Sequence, residues 1–235
     1  MTEMKKRMTE MMKLEFDPEK HEYRLEGELV PSVTELLKPI TDKGYANINP
    51  AVLQEAARRG TEVHGACESI DYGLDVEDVG TDIIPYLDAY TAFLRDYKPE
   101  WLGIEDMVYG SFSAWWGSLD YAGTIDRWGM IDGKLAVLDI KTVASPSVRQ
   151  KICTALQTIL YSRALTICGK SEKTPEMRYA LYLKKDGTYN LVDLDDFVKS
   201  KDVPTGGIIE TLTAIYSFGE ELEEMLDTKK EKNNE

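Results

Sequence analysis

An Asp-Gly pair set between two apolar runs constrains this chain most. Asp132-Gly133 follows Ile125-Asp126-Arg127-Trp128-Gly129-Met130-Ile131 and precedes Lys134-Leu135-Ala136-Val137-Leu138-Asp139-Ile140-Lys141. Such a pair favours a two-residue hairpin turn, because both turn positions need positive φ. With Asp132 and Gly133 as the loop, Ile131 pairs with Lys134, and each step outward keeps that register. Asp126 then faces Asp139 across the two strands, with Cβ atoms roughly 4.5–5.5 Å apart. Lys141 lies two residues past Asp139 and shares its face.

Two carboxylates directly opposite each other destabilise a sheet. A divalent cation between them removes the repulsion, and magnesium takes oxygen ligands from one or two carboxylates, water and phosphate. The plainer reading is a solvated hairpin face with an incidental Asp-Asp-Lys trio. The near-continuous apolar run Leu135, Ala136, Val137, Leu138 and Ile140 argues against it, since it reads as a strand covered on both faces. Charge placed in such a strand needs a partner.

The 235 residues suffice for a single domain with a real core. They divide into a polar, Met-rich extension over 1–13, one domain over 14–226, and a charged tail over 227–235 that reads as disordered. The start lacks an apolar signal-peptide core, and no apolar run approaches the ~20 residues of a membrane span. Cys67, Cys153 and Cys168 are widely spaced, which fits a reducing cytoplasm and leaves too few thiolates for a four-cysteine iron–sulfur cluster. The net charge of −14 argues against generic nucleic-acid binding. The charge is uneven, however: residues 71–126 hold 12 acidic and 2 basic side chains, and residues 127–185 hold 11 basic and 4 acidic ones. A basic segment starting at Arg127 can hold phosphates whatever the total charge, unless these are ordinary solvated faces.

Along the chain, residues 14–35 read as strand, turn, strand and helix start, with Ser32 and Glu35 in a capping box. That helix is expected to end near Pro39, followed by a loop over 40–49. Asn49-Pro50 opens a helix to Gly60, and a second helical stretch carries His64 and Glu68 four residues apart. The spacing alone favours a surface pair over a metal site. Ile83, Tyr86, Tyr90, Phe93 and Tyr97 recur at helical spacing and read as core. A strand over 101–109 carries Glu105, and Trp115-Trp116 read as packing. After the hairpin, Ser145-Pro146 caps a helix to about Ile167, with Gln157 and Tyr161 on one face. A second hairpin around Asp186-Gly187 and a helix over 205–226 complete the chain.

Taken together, Gly60-x-x-x-His64, Gly123-Thr124-Ile125-Asp126, Asp139-Ile140-Lys141-Thr142 and Gln157-x-x-x-Tyr161 resemble the ordered motifs of the PD-(D/E)XK nuclease superfamily, in particular its RecB-like and phage-type exonuclease branch. The match covers about residues 55–165. His21-x-Tyr23 and Pro31-Ser32-Val33-Thr34 look like phage-encoded members, less specifically. Ile125 stands where the family often has proline, and Asp139 where the RecB-like branch uses glutamate. The resemblance implies an α/β fold with a restriction-endonuclease-like core, a central mixed β-sheet flanked by helices. It implies Mg²⁺ or Mn²⁺ held by His64, Asp126, Asp139 and the main-chain carbonyl of Ile140, with no iron–sulfur cluster. Lys141 would position or activate water, Gln157 and Tyr161 would steady the site and the DNA backbone, and Glu68 and Glu105 are weaker candidates.

The function so implied is a metal-dependent DNA exonuclease in phage-type recombination or end processing, a phosphodiester hydrolase of the cytoplasm acting on linear DNA. The resemblance leaves room for a single-strand annealing or recombination partner protein and for a homo-oligomer, and involves no membrane. Two alternatives share the core: a non-catalytic DNA-binding or assembly subunit that kept the fold, and an endonuclease.

Overall fold

The computed structural model describes residues 12–45, 48–76, 79–143 and 145–232. Most of the 1–13 extension and the last three residues of the tail lie outside them.

Three short strands come first: β1 (Leu14–Asp17), β2 (Glu22–Leu25) and β3 (Glu28–Val30) form an antiparallel meander. Its third strand is not anticipated by the reading of residues 14–35. The signal was Glu26-Gly27, both at positive φ, a two-residue turn that pairs Leu25 with Glu28. Helix α1 (Val33–Tyr45) opens with the expected capping box: Glu35 N–H donates to Ser32 Oγ at 3.1 Å and Ser32 N–H to Glu35 Oε2 at 2.8 Å. It runs through Pro39 rather than ending there. Proline removes one helical hydrogen bond, but Val33, Leu36 and Leu37 are buried on one stripe, and that packing outweighs the loss. The expected loop over 40–49 is thereby helical through Tyr45.

Helix α2 (Pro50–Asp71) is one continuous element where the sequence suggests two, and Asn49 caps it by accepting from Ala51 N–H at 2.9 Å. Helix α3 (Ile84–Tyr97) buries Tyr86, Tyr90 and Phe93, so the aromatic stripe is core. Five strands follow as a mixed sheet in the order β4-β5-β6-β7-β8: β4 (Glu100–Ala114), β5 (Gly117–Ile131), β6 (Lys134–Lys141), β7 (Met177–Leu183) and β8 (Tyr189–Asp193). Only β6 and β7 are parallel, joined by the crossover helix α4 (Val148–Ile167). Ser147, two residues later than expected, caps α4 through a capping box with Gln150. The short helix α5 (Leu194–Ser200), capped by Asp193, was not foreseen. Helix α6 (Thr205–Lys232) carries helical backbone through residues 227–232, expected as a disordered tail. Trp115, expected to pack, is 80% exposed at the β4–β5 turn.

Helices cover both faces of the large sheet. On one, α1, α4 and α6 pack Leu36, Leu156, Leu160 and Ile209 against Val108, Ile125 and Val137. On the other, α2 and α3 pack Val63, Cys67, Tyr90 and Phe93 against Ala136, Leu138 and Ile140. The chain is therefore an α/β protein with a five-stranded mixed sheet between helices. Among the described residues, no helix is long and apolar enough to cross a membrane.

The central hairpin has the expected turn, with Asp132 at φ 49° and Gly133 at φ 72°. Its register runs as anticipated from Ile131–Lys134 to Arg127–Leu138 and stops one pair short of Asp126 and Asp139. Gly123, on the same strand, is where Tyr161 of α4 comes closest: an added Cβ would lie 2.7 Å from its ring. At Gly60 an added Cβ would meet nothing. Gly123→Ala is accordingly expected to destabilise by about 1–3 kcal/mol through overpacking. Gly60→Ala should be neutral or stabilising by up to ~1 kcal/mol, through helix propensity. Urea unfolding of the two variants reads both signs.

Candidate metal centre

The β5–β6 ladder stops because Asp126 takes its next hydrogen bond. Ile140 N–H donates to Asp126 Oδ2 at 2.6 Å instead of to the backbone of β5. The register ends there, and the Asp126 carboxylate stands in for the next backbone acceptor, only 9% exposed. His64 reaches the same place from the middle of α2, its Nε2 2.9 Å from the carbonyl oxygen of Ile140. A carbonyl only accepts, so Nε2 carries a proton and Nδ1 is directed elsewhere. Nδ1 lies 3.7 Å from Asp126 Oδ1 and 3.8 Å from Glu105 Oε1. Glu105 stands on β4 at φ 45°, a left-handed conformation inside a strand. For a non-glycine residue that costs on the order of 1–3 kcal/mol, and it persists where the surroundings hold it.

His64, Glu105 and Asp126 each offer a ligand atom, all within 4.8 Å of one another. Ligands about 2.0–2.1 Å from a small divalent ion stand about 3 to 4 Å apart across it. The two His64–carboxylate separations of 3.7 and 3.8 Å fall in that range. One imidazole nitrogen with two carboxylates is a donor set for a divalent ion, with water completing the shell. Glu105, the weaker candidate, thus belongs to the cluster, and Glu68 does not.

Asp139 and Lys141 stand beside this trio and pair with each other. Lys141 Nζ lies 2.8 Å from Asp139 Oδ1 and 2.7 Å from Oδ2. The expected direct opposition of Asp126 and Asp139 is replaced by an Asp126 carboxylate bonded to the Ile140 N–H and a separate ion pair, in which Asp139 is 2% and Lys141 34% exposed. Burial pushes the Asp139 carboxyl up to about 6, with Asp126 adding to the rise and Lys141 opposing it. Burial opposes the charge on Lys141, but Asp139 and Asp126 outweigh it and hold the ammonium above the usual lysine range. Burial likewise opposes a charge on His64, and Asp126 and Glu105 hold it up at about 9.

On the α4 side, Gln157 Nε2 donates to Tyr161 Oη at 3.3 Å. Tyr161 is buried against Gly123, and burial raises its phenol well above the ordinary value, so it stays neutral. Tyr23 of the small sheet contacts Thr124 at 2.9 Å, and Ala122 N–H donates to Pro31 O at 2.9 Å, so both N-terminal motifs are tied to β5 beside Asp126. A cavity of about 520 Å³ opens from Lys141 and Gln157 between α1 and the first turns of α4, with Arg149 and Gln150 in its wall.

Sequence reasoning missed what lies behind Asp126. Arg127 is fully buried and donates from Nε to Asp71 Oδ2 at 2.5 Å and from Nη1 to Glu105 Oε1 at 3.0 Å. Asp71 also accepts from Tyr90 Oη at 2.7 Å and Trp101 Nε1 at 3.0 Å. The signal was present: strand alternation turns Arg127 away from the Asp126 face, into an apolar layer where an arginine must find an acid. Arg127 also fails to open a basic phosphate surface as expected, and Lys170 and Arg178 pair with Asp106 and Asp195.

The titrations give a signed expectation. His64, raised from 6.5 to about 9, contributes stability that is complete below 6.5 and lost as pH rises through 9. Asp139, raised from 3.8 to about 6, likewise contributes most below 3.8 and loses it as pH rises through 6. The chelator-treated protein should therefore lose thermal stability from about pH 5 to pH 9. A cation replaces the His64 proton, so the Tm rise produced by Mn²⁺ should be larger near pH 8.5 than near pH 6. A Mn²⁺ shift independent of pH would place the ion away from His64.

No protein-family model matches the chain, and no curated protein matches it as a relative. Among solved structures it is similar to SSO0001, at 16% sequence identity, 74% of each chain covered and a TM-score of 0.36, a likeness too distant to carry an argument about fold or function.

Proposed function

We propose that this chain is a metal-dependent deoxyribonuclease with a restriction-endonuclease-like core, hydrolysing phosphodiester bonds at DNA ends. The observation that carries the reading is the convergence on Ile140. Its N–H holds Asp126 and its carbonyl holds His64, which brings the first acidic strand, the Asp139–Lys141 strand and a distant helix to one point. These are the motifs whose order resembles the RecB-like and phage-type exonucleases.

A divalent ion, Mg²⁺ or Mn²⁺, held by Asp126, Glu105 and His64 would offset phosphate charge and acidify a water bound to it. The chain's own groups supply the rest. Lys141 is held as a cation, so it acts as a donor that orients water or a phosphate oxygen rather than as a base. Asp139 keeps that ammonium in place from 2.7 Å. Gln157, on the wall of the cavity beside Lys141, offers amide hydrogens to a backbone phosphate. Arg149 and the first turn of α4, lining the same cavity, favour anionic groups there. This local arrangement lets a strongly acidic protein take DNA at one place, with marked salt dependence and little sequence preference.

The test is cleavage of linear and supercoiled circular DNA with Mg²⁺ or Mn²⁺. Degradation of linear DNA with circular DNA spared is expected, and nicking of the circle would instead identify an endonuclease. Asp126→Asn should abolish metal-dependent cleavage, and Lys141→Met should lower it about 10²–10³-fold, as for loss of a charge-stabilising donor, and should also lower stability by leaving the buried Asp139 carboxylate without its partner. Absence of cleavage of any DNA by the unaltered protein, with DNA binding indifferent to Asp126→Asn, would establish the non-catalytic subunit in its place. Protein partners and an oligomer threading DNA stay within the proposal, and sedimentation with and without DNA reads the latter.

A further inference from the structure

We infer that Arg127 and Asp71 are positioning residues that set the Glu105 carboxylate at the metal centre. The inference rests on the metal-centre reading above. Its observation is different: a buried charge relay from Asp71 through Arg127 to Glu105 that touches neither Asp139 nor Lys141.

Asp71 and His64 lie seven residues apart on α2, two helical turns, and so share a face. His64 meets the sheet at Ile140, and Asp71 meets it at Arg127. Asp71 is 1% exposed and accepts from Arg127, Tyr90 and Trp101, which uses its acceptor capacity on three rigid donors. Fixed in this way, it fixes the Arg127 guanidinium. Arg127 Nη1 then donates to Glu105 Oε1 at 3.0 Å and to the carbonyl oxygen of Asp126 at 2.5 Å. Glu105 Oε1 is the atom that stands 3.8 Å from His64 Nδ1. The left-handed backbone at Glu105 has a cause here, since the side chain is drawn toward the guanidinium and the His64–Asp126 pair together. A planar guanidinium bridges Asp71, Asp126 O and Glu105 at fixed angles, which an ammonium cannot do.

Groups behind a metal ligand typically change affinity about 10–100-fold when altered. Mn²⁺ affinity is therefore measured by calorimetry on the full chain, well below each variant's Tm, for the unaltered protein, Asp71→Asn, Glu105→Gln and the double variant. Asp71→Asn is expected to weaken Mn²⁺ about 10-fold, and Glu105→Gln about 10–100-fold. The double variant should match Glu105→Gln alone, because the relay acts through that carboxylate. If Asp71→Asn does not fold, Arg127→Lys keeps the buried charge opposite Asp71 but lacks the arm to Glu105, and it should show the same loss. DNA cleavage, where present, should show a raised half-saturating metal concentration with the rate at saturating metal retained. Losses that multiply in the double variant, or Arg127→Lys with unchanged affinity, would overturn the relay while leaving the metal centre standing. Failure of the unaltered protein to bind Mn²⁺ would instead remove the metal centre, and the relay's role with it.

Discussion

The backbone of Ile140 is the point on which the site depends. A strand in a continuous ladder gives its N–H and C=O to neighbouring strands. Here the N–H goes to the Asp126 side chain and the C=O receives His64. Two ladder positions are thereby converted into anchors for charged side chains. The conversion needs the surrounding sheet to be rigid, and it is. Leu138 and Ile140 are buried against α2 and α3, and Val137 against α4, so the strand cannot shift to recover the missing ladder bonds.

Burying this many charges is tolerable only because each meets an opposite charge or a set of donors. Asp139 has Lys141, Asp71 has Arg127 with Tyr90 and Trp101, and Asp126 has the Ile140 N–H and the His64 ring. Glu105 shares Arg127 with Asp71. The compensation is uneven. The Asp139–Lys141 pair is locally balanced, whereas Asp126, Glu105 and His64 stay net negative even with the imidazole protonated. A dication therefore gains more at the trio than at Asp139, whose oxygens both lie within 3 Å of an ammonium. The geometry therefore groups Asp126 with Glu105 and His64 rather than with the Asp139 suggested by the hairpin register.

Much of this was legible in the residues. The Asp132-Gly133 turn dictates the register, and the register puts Lys141 beside Asp139. The caps at Ser32 and Asn49 and the aromatic stripe of α3 follow from local chemistry and period. What failed were cases where tertiary packing outweighs local preference: Pro39 inside α1, and the unbroken α2 across Gly60. The site was less legible than the fold. Spacing cannot show that a ladder ends one pair early, because that depends on Asp126 competing with the backbone for one N–H. It also cannot bring Glu105 in from another strand, since the residue reaches the cluster through a left-handed backbone that no propensity favours.

Arg127 shows how composition can mislead. Read as the first residue of a basic segment, it suggested a surface for phosphates, yet it is fully buried and its partners are acids. Alternation along a covered strand separates the two cases, because consecutive charged residues there must point to opposite faces. Asp126 and Arg127 are such a pair. The acid faces the site, while the arginine crosses to α2 and returns one hydrogen bond to the Asp126 carbonyl and another to Glu105. A change in how α2 seats on the sheet would reach Glu105 through Asp71 and the Arg127 guanidinium, and would reach Ile140 directly through His64.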